Sequence, residues 1–444
     1  LSGPLRGPFV TVMREILLIS YFFPPAGGGG VIRALKLAKY LPEFGYAPVV
    51  LAADDPRYAD DPALLEQVPP CVRVYRVPVS DPFAGLAGLY KKFKSRETEN
   101  RGSYEKADTR ESFGARLRRV FSFPDPQFHF FRPALSAFFR IPDTYRLQAV
   151  ISTAPPYTSH VLGVRLSKIT RLPLVLDYRD AWTYNPFGGP PTPLHAFGWR
   201  LAERRVLSAA SAVVTVTDAM ADDYRLRFRL DAPVYTIPNG YDEDDFEGVV
   251  AERRDRFTVV YAGKFYGGRD PFTFLEGVRW AIGSGAFGTD DIEIRFVGVV
   301  PDDIRAVVEA SGLPVVIRNH VPHREAVSEI VSAHASLLII GEGPAMGTTL
   351  TGKIFEYLRA GRPVIAMVPP DGAAARLVRE TGGGYVIPPD DADGVAAVLT
   401  ELYRRYRRGE LDEPGIPSPA LKRYSRREIA GEFAGLLDSL IGNR

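Results

Sequence analysis

Two successive series of short, unbroken apolar runs, interleaved with helical patterns, limit what this chain can fold into. In the first series the runs are Glu15–Ser20, Ala47–Ala53, Gln148–Ser152, Pro173–Asp177, Ala212–Val216 and Val234–Ile237. In the second they are Phe257–Tyr261, Ile292–Val297, Val315–Arg318, Leu337–Ile340, Val364–Met367 and Tyr385–Ile387. Val31, Leu35, Ala38 and Leu41 recur at helical spacing, and Gly45 suits the stop. The second half predicts helices at about 272–282, 302–311, 323–333, 352–360, 372–380 and 392–408. Continuous apolar strands alternating with helices imply parallel sheets covered on both faces. Single cores rarely grow past about 250–300 residues, so the length of 444 residues predicts two or three domains, and the two alternating series predict two doubly wound Rossmann-like sheets among them. Turn and acidic residues at Pro238–Asp245 break the rhythm. They place a linker at 238–256 between a domain over 14–237 and another over 257–420. The last segment, 421–444, carries Ile429, Phe433, Leu436, Leu437 and Leu440 on one helical stripe. Met13 looks like a natural start, so residues 1–13 are expected to be an extension or an expression remnant.

Residues 81–140 depart from this rhythm. Lys91–Asp108 is polar and reads as an insertion. Phe113–Arg140 mixes Arg116, Arg118, Arg119, Arg132 and Arg140 with phenylalanines. It suits either a surface for anionic lipid or a lipid-linked acceptor, or a helical flap packed on its own domain. A net charge of only +2 argues against nucleic acid as partner. The single cysteine, Cys71, excludes an internal disulfide framework and fits a reducing cytoplasm. No apolar run approaches the ~20 residues that span a bilayer.

The chemistry concentrates where strands end. In Gly347-Thr-Thr-Leu-Thr-Gly-Lys-Ile-Phe-Glu-Tyr-Leu-Arg-Ala-Gly361 a loop with Thr348 and Thr349 runs into a short helix. A helix start offers free N–H groups and a positive dipole end, both suited to phosphate. Lys353 and Glu356 are three apart and share a face. There a cation can touch a diphosphate while a carboxylate accepts hydrogen bonds from a ribose. An ordinary βαβ unit with a solvated Lys–Glu pair would show the same residues. The run Gly27, Gly28, Gly29 and Gly30 follows the first strand. A tight turn needs one or two glycines; four favour close approach of the backbone to a ligand. The run lacks the G-x-G-x-x-G spacing, which argues against a nicotinamide or flavin site.

Tyr261-Ala-Gly-Lys-Phe-Tyr-Gly-Gly-Arg269 puts Gly263 and Lys264 at a strand end and Arg269 beyond a glycine loop. Two cations there can neutralise a leaving diphosphate, or simply decorate an exposed loop. Asp177-Tyr-Arg-Asp-Ala-Trp182 offers Arg179 and Asp180, as site groups or as a surface ion pair worth at most about 1 kcal/mol. Arg33 and His160 are further candidates on the acceptor side. His129, His195, His323 and His334 read as surface or packing residues, and the basic clusters Arg404–Arg408 and Lys422–Arg427 as solvated helix faces. No Asp-x-Asp at a strand end and no histidine grouping marks a metal site, and no G-x-S-x-G marks a nucleophile elbow.

Four segments in order resemble glycosyltransferase family 4: Tyr21–Val31, Leu176–Trp182, Ile237–Tyr241 and Thr351–Pro363. The resemblance covers the chain from about Arg14 to Gly442. It implies a GT-B fold, in which two Rossmann-like domains face a central cleft. It also implies a retaining, hexosyltransferase-type enzyme that uses a nucleotide sugar and needs no divalent metal or cofactor. The second domain would bind the donor, a UDP-sugar by the family's commonest usage. The first would bind a glycan, lipid-linked or small-molecule acceptor, and the last helix would cross back to it. The family's diphosphate-binding pair falls on Lys264 and Arg269, its ribose-binding glutamate on Glu356, and its glycine loop on Gly27–Gly30. Thr348 and Thr349 would face the phosphates. Work in polysaccharide synthesis at the inner face of a membrane would fit. Two departures stand out. Thr348 replaces the first of the family's paired glutamates, and Arg179 and Asp180 stand where many members carry a histidine near the anomeric centre. Of these, Asp180 is the expected polar group. A sugar-nucleotide epimerase on the same fold, or a non-catalytic nucleotide-sugar-binding subunit, are the alternatives.

Overall fold

The computed structural model describes residues 13–58, 61–80, 122–184, 189–265, 269–319, 321–341, 343 and 346–442. The polar insertion at 91–108, together with Arg116, Arg118, Arg119 and residues 1–12, lies outside them.

Among the described residues the first half forms a seven-stranded parallel sheet in the order β3-β2-β1-β4-β5-β6-β7. The strands are β1 (Arg14–Ile19), β2 (Tyr46–Asp54), β3 (Arg73–Pro78), β4 (Leu147–Ala154), β5 (Leu174–Tyr178), β6 (Ala212–Thr215) and β7 (Val234–Thr236). The second half forms a six-stranded parallel sheet, β10-β9-β8-β11-β12-β13. Its strands are β8 (Phe257–Ala262), β9 (Ile292–Val297), β10 (Val315–Arg318), β11 (Ala335–Ile339), β12 (Val364–Met367) and β13 (Gly384–Ile387). Helices on both faces cover each sheet: α1 (Gly29–Tyr40), α2 (Phe131–Phe138), α3 (Thr158–Thr170), α4 (Pro193–Leu207) and α5 (Asp218–Phe228) in the first half. The second half carries α6 (Phe272–Gly283), α7 (Asp302–Ala310), α8 (His323–Ser332), α9 (Gly352–Arg359), α10 (Ala373–Thr381) and α11 (Ala392–Arg407).

The apolar runs became strands because both faces are buried; β5, β6, β8 and β11 are buried at every position. Strand β3 escaped the sequence pattern because it is an edge strand and only Val77 is fully buried in it. The described part of the 113–140 stretch packs on its own domain. Phe130, Ala134 and Phe138 enter the core, while Arg132 and Arg140 face solvent.

The last helix, α12 (Arg426–Gly442), leaves the second half. Its Ile429, Phe433, Leu436 and Leu437 pack with Ile16, Leu18 and Val50 in one core of the first sheet. Truncating Phe433, which is fully buried, would cost about 3–5 kcal/mol. Where the chain passes between the halves, two segments bind each other. Tyr241 N–H donates to the Tyr424 carbonyl at 3.1 Å, and Arg426 N–H donates to the Tyr241 carbonyl at 2.7 Å.

Candidate active site

Each sheet reverses its strand order once, between β1 and β4 and between β8 and β11. Ligands in open parallel sheets bind outside the carboxyl ends of strands at such points. A cleft of about 1210 Å³ lies there, lined by both halves. From the first half come Gly28–Gly30 after β1, and Arg179 and Asp180 after β5. From the second come Gly263 and Lys264 after β8, Arg269, and the segment Thr348–Lys353 with Glu356 after β11. Arg33 also reaches the lining; Gly27 and His160 do not.

The second half contributes charge. Lys353 Nζ donates to the Tyr261 hydroxyl at 2.8 Å and stands 3.9 Å from that ring's centroid. Burial pulls the ammonium down to about 7, and the neighbouring Arg269 adds to the shift while Glu356 opposes it. Gly263 makes this position available. At its φ of 132° a Cβ would sit 2.3 Å from Lys353 Nζ, so any other residue there is both strained and obstructive. The Lys264 ammonium has no partner among the described residues and faces the cleft. Arg269 is 3% exposed. Thr351, the cap residue of α9, has a buried hydroxyl with no hydrogen-bond partner among the described residues. Buried polar groups are nearly always satisfied, so an oxygen-rich ligand would complete it.

The first half contributes shape. Arg33, expected as an acceptor-side group, is 2% exposed and committed to the scaffold. Its Nη2 donates to Asp177 Oδ1 at 2.7 Å and to the Ile237 carbonyl at 2.9 Å, and Nη1 donates to the Pro238 carbonyl at 2.7 Å. Arg179 is committed likewise: it donates to the carbonyls of Gly30 and Pro155, both at 2.5 Å. It thereby pins the exit of the glycine loop to the start of the segment after β4. Within that loop Gly28 has a φ of 96° and precedes α1, a conformation that a side chain would strain. Asp180 remains as the acidic group of this strand end. Burial raises its carboxyl, against the pull of Arg179 and Arg269. His160 lies beneath the site, fully buried, with Nδ1 2.8 Å from Ser152 Oγ; burial lowers its imidazole to about 3. It stays neutral and packs on Tyr178.

Two residues that sequence reads otherwise, His323 as a surface or packing residue and Arg426 as part of a solvated helix face, belong to the cleft. His323 Nε2 lies 3.0 Å from Glu356 Oε1. Burial pulls this imidazole down, but Glu356 and Asp245 outweigh it and raise it to about 9. Arg426, placed by sequence in a solvated basic cluster, is only 6% exposed and lines the cleft. Its Nε has no partner among the described residues, and Nη1 reaches Asn239 Oδ1 at 3.4 Å. The available signals were positional: His323 opens the helix after β10, and Arg426 opens the helix that crosses between the halves. His334, by contrast, is a packing residue: its Nδ1 accepts from the Thr258 N–H at 2.9 Å.

Residues 28–240 match the model of the glycosyl transferase 4-like domain. Among solved structures the chain is similar to sucrose-phosphate synthase from Thermosynechococcus elongatus, with 17% identity and a TM-score of 0.62 over 97% of this chain and 100% of that one. It is similar to HepE of Anabaena in complex with UDP and glucose, with 16% identity and a TM-score of 0.59 over 96% of this chain and 100% of that one. A putative UDP-N-acetylglucosamine 2-epimerase from Listeria monocytogenes also aligns, with 11% identity and a TM-score of 0.54 over 96% of each chain. No curated protein matches the sequence. At these identities the structural likeness establishes the fold. Residues 28–240 are thus similar to a glycosyl transferase 4-like domain, and the chain has the two-domain GT-B fold. Among the described residues, no helix is long and apolar enough to cross a membrane.

Proposed function

We propose that this protein is a retaining glycosyltransferase that moves a hexosyl group from a UDP-sugar to a hydroxyl of a glycan, lipid-linked or small-molecule acceptor. The observation that carries this is the convergence on one cleft of three cations and an amide-rich helix start from the second half, opposite a glycine loop from the first. The donor diphosphate lies between Lys264, Arg269, Lys353 and the segment 347–353. Its ribose meets Glu356, and Thr351 donates its unsatisfied hydroxyl to a phosphate oxygen. The acceptor enters from the side of Arg179 and Asp180.

The bond from the anomeric carbon to the phosphate oxygen breaks with oxocarbenium character. The leaving phosphate oxygen takes the acceptor's proton, and the new bond forms on the same face. The cations stabilise charge developing on the diphosphate, and the fixed cleft supplies orientation. With three cations on the diphosphate, turnover needs no divalent ion and is expected to survive chelation by EDTA. A cytoplasmic site of action, at a membrane face when the acceptor is lipid-linked, fits this chemistry.

The test is incubation with UDP-sugars, with and without a panel of acceptors, followed by NMR of the product anomer. Acceptor-dependent UDP release with the donor's anomeric configuration retained is expected. An isomerised sugar nucleotide formed without acceptor would make the chain an epimerase. Binding without any turnover would make it a non-catalytic subunit.

A further inference from the structure

Glu356 sits at the end of a line of charges that crosses between the two halves. His323, the first residue of α8, holds Oε1 of Glu356 through Nε2 at 3.0 Å. Its other nitrogen, Nδ1, lies 3.8 Å from Asp245 Oδ2. Asp245 accepts from Lys36 Nζ at 2.9 Å, and Lys36 also donates to Asp242 Oδ2 at 2.5 Å. Lys36 belongs to α1 of the first half, Asp242 and Asp245 to the connection, and His323 and Glu356 to the second half. The side chains of Lys36, Asp242 and Asp245 are nearly fully buried, where salt screens least.

We propose that His323 is a positioning residue for the nucleotide: it fixes one oxygen of Glu356, leaves the other for a ribose hydroxyl, and ties that carboxylate through Asp245 to Lys36 of the first half. This rests on Glu356 being the ribose contact.

The physical reason is preorganisation. A free glutamate loses rotamer freedom when it binds a hydroxyl; one already held by a neighbour does not. The groups facing His323 are Glu356, Asp245 and Lys36, and their balance keeps the imidazole protonated at neutral pH. The bond to Glu356 is therefore charge-assisted, about twice as strong as a neutral one. Glu356 in turn faces His323, Arg426 and Lys36, which hold its carboxyl below the ordinary range although burial alone would raise it. An anion so held cannot donate, so its free oxygen selects hydroxyl donors.

The test is the ratio of affinities for UDP and 2′,3′-dideoxy-UDP, measured by calorimetry on the full chain. The wild type is expected to favour UDP by about tenfold or more. Glu356→Ala should lose this preference. His323→Ala should cut it to about threefold or less, and His323→Gln, which keeps a donor without the charge, should fall between. The double variant His323→Ala/Glu356→Ala should match Glu356→Ala alone. Lys353→Met should weaken both nucleotides alike and leave the ratio intact. A wild-type ratio in both His323 variants would overturn the inference while leaving the Glu356 assignment standing. A ratio that survives Glu356→Ala, or a wild type that does not bind UDP, would remove that assignment and the inference with it. Thermal unfolding of each variant excludes a loss of fold as the cause, and His323→Gln, similar in reach, stands in if the alanine variant does not fold.

Discussion

The two halves share a doubly wound parallel sheet but treat their strand-end charges in opposite ways. In the first, Arg33 and Arg179 are consumed by Asp177 and by backbone carbonyls. The charges hold the scaffold rigid and leave glycine backbone facing the cleft. In the second, Lys264, Arg269 and Lys353 line the cleft, and Lys353 bears its burial at the cost of a depressed ammonium. Similar residue types at similar topological positions thus do different work. What separates them is the kind of acceptor: Arg33 is held by a buried carboxylate and Arg179 by backbone carbonyls, whereas Lys353 meets a neutral tyrosine hydroxyl. A cation neutralised by the scaffold becomes structure, and one that keeps its charge beside the cleft is available to an anionic ligand.

The sharpest way to break this contrast is Lys264→Ala or Glu356→Ala in the second half. Turnover should drop by about 100-fold or more, in variants that still unfold cooperatively from a folded state. Near-normal rates in both variants would refute the site assignment. The matching change in the first half is Arg33→Met. It leaves Asp177 buried and unpaired and should cost about 3–5 kcal/mol of stability, read as a lowered denaturant midpoint. Donor affinity of the folded fraction should change little. If stability held and affinity fell instead, Arg33 would be a ligand contact and the contrast would fail.

A smaller effect follows from Lys353. In the free protein its ammonium titrates near 7, below the ordinary lysine range, and a bound diphosphate favours the charged form. Binding therefore takes up a proton above pH 7. Affinity for UDP should fall as pH rises through and beyond that point, by up to about tenfold per unit, until the bound-state pKa is passed. Calorimetry in buffers of different ionisation enthalpy reads the proton directly, and Lys353→Met should flatten this limb. The smallest effect is expected for Gly29→Ala. No atom lies within 4 Å of the added Cβ, so stability should stay within about 1 kcal/mol. Donor affinity should still fall severalfold, because the methyl group enters the space where backbone meets ligand. Unchanged affinity would remove the loop from the site.

Much of the fold was legible because burial on both faces writes strands as unbroken apolar runs. The α9 segment, expected at 352–360, spans Gly352–Arg359, and the α11 segment, expected at 392–408, spans Ala392–Arg407. The edge strand β3 was not legible, since half-exposed residues carry no such signal. Of the expected site residues, Lys264, Arg269, Lys353, Glu356, Asp180 and Gly28–Gly30 meet in one cleft because strand ends and helix starts are fixed by topology. The commitment of Arg33 to Asp177, 144 positions away, depends on tertiary packing that no local pattern encodes. The same holds for His323 and Arg426. A histidine at a helix start and one arginine of a basic pair look like surface residues until the halves are brought together.

The most direct measurement is a crystal structure of the protein with UDP. The diphosphate should lie between Lys264, Arg269 and the start of α9, with a ribose hydroxyl on Glu356 and the glycine loop across the cleft. An empty cleft, or a nucleotide bound with Lys264 and Glu356 turned away from it, would contradict this account.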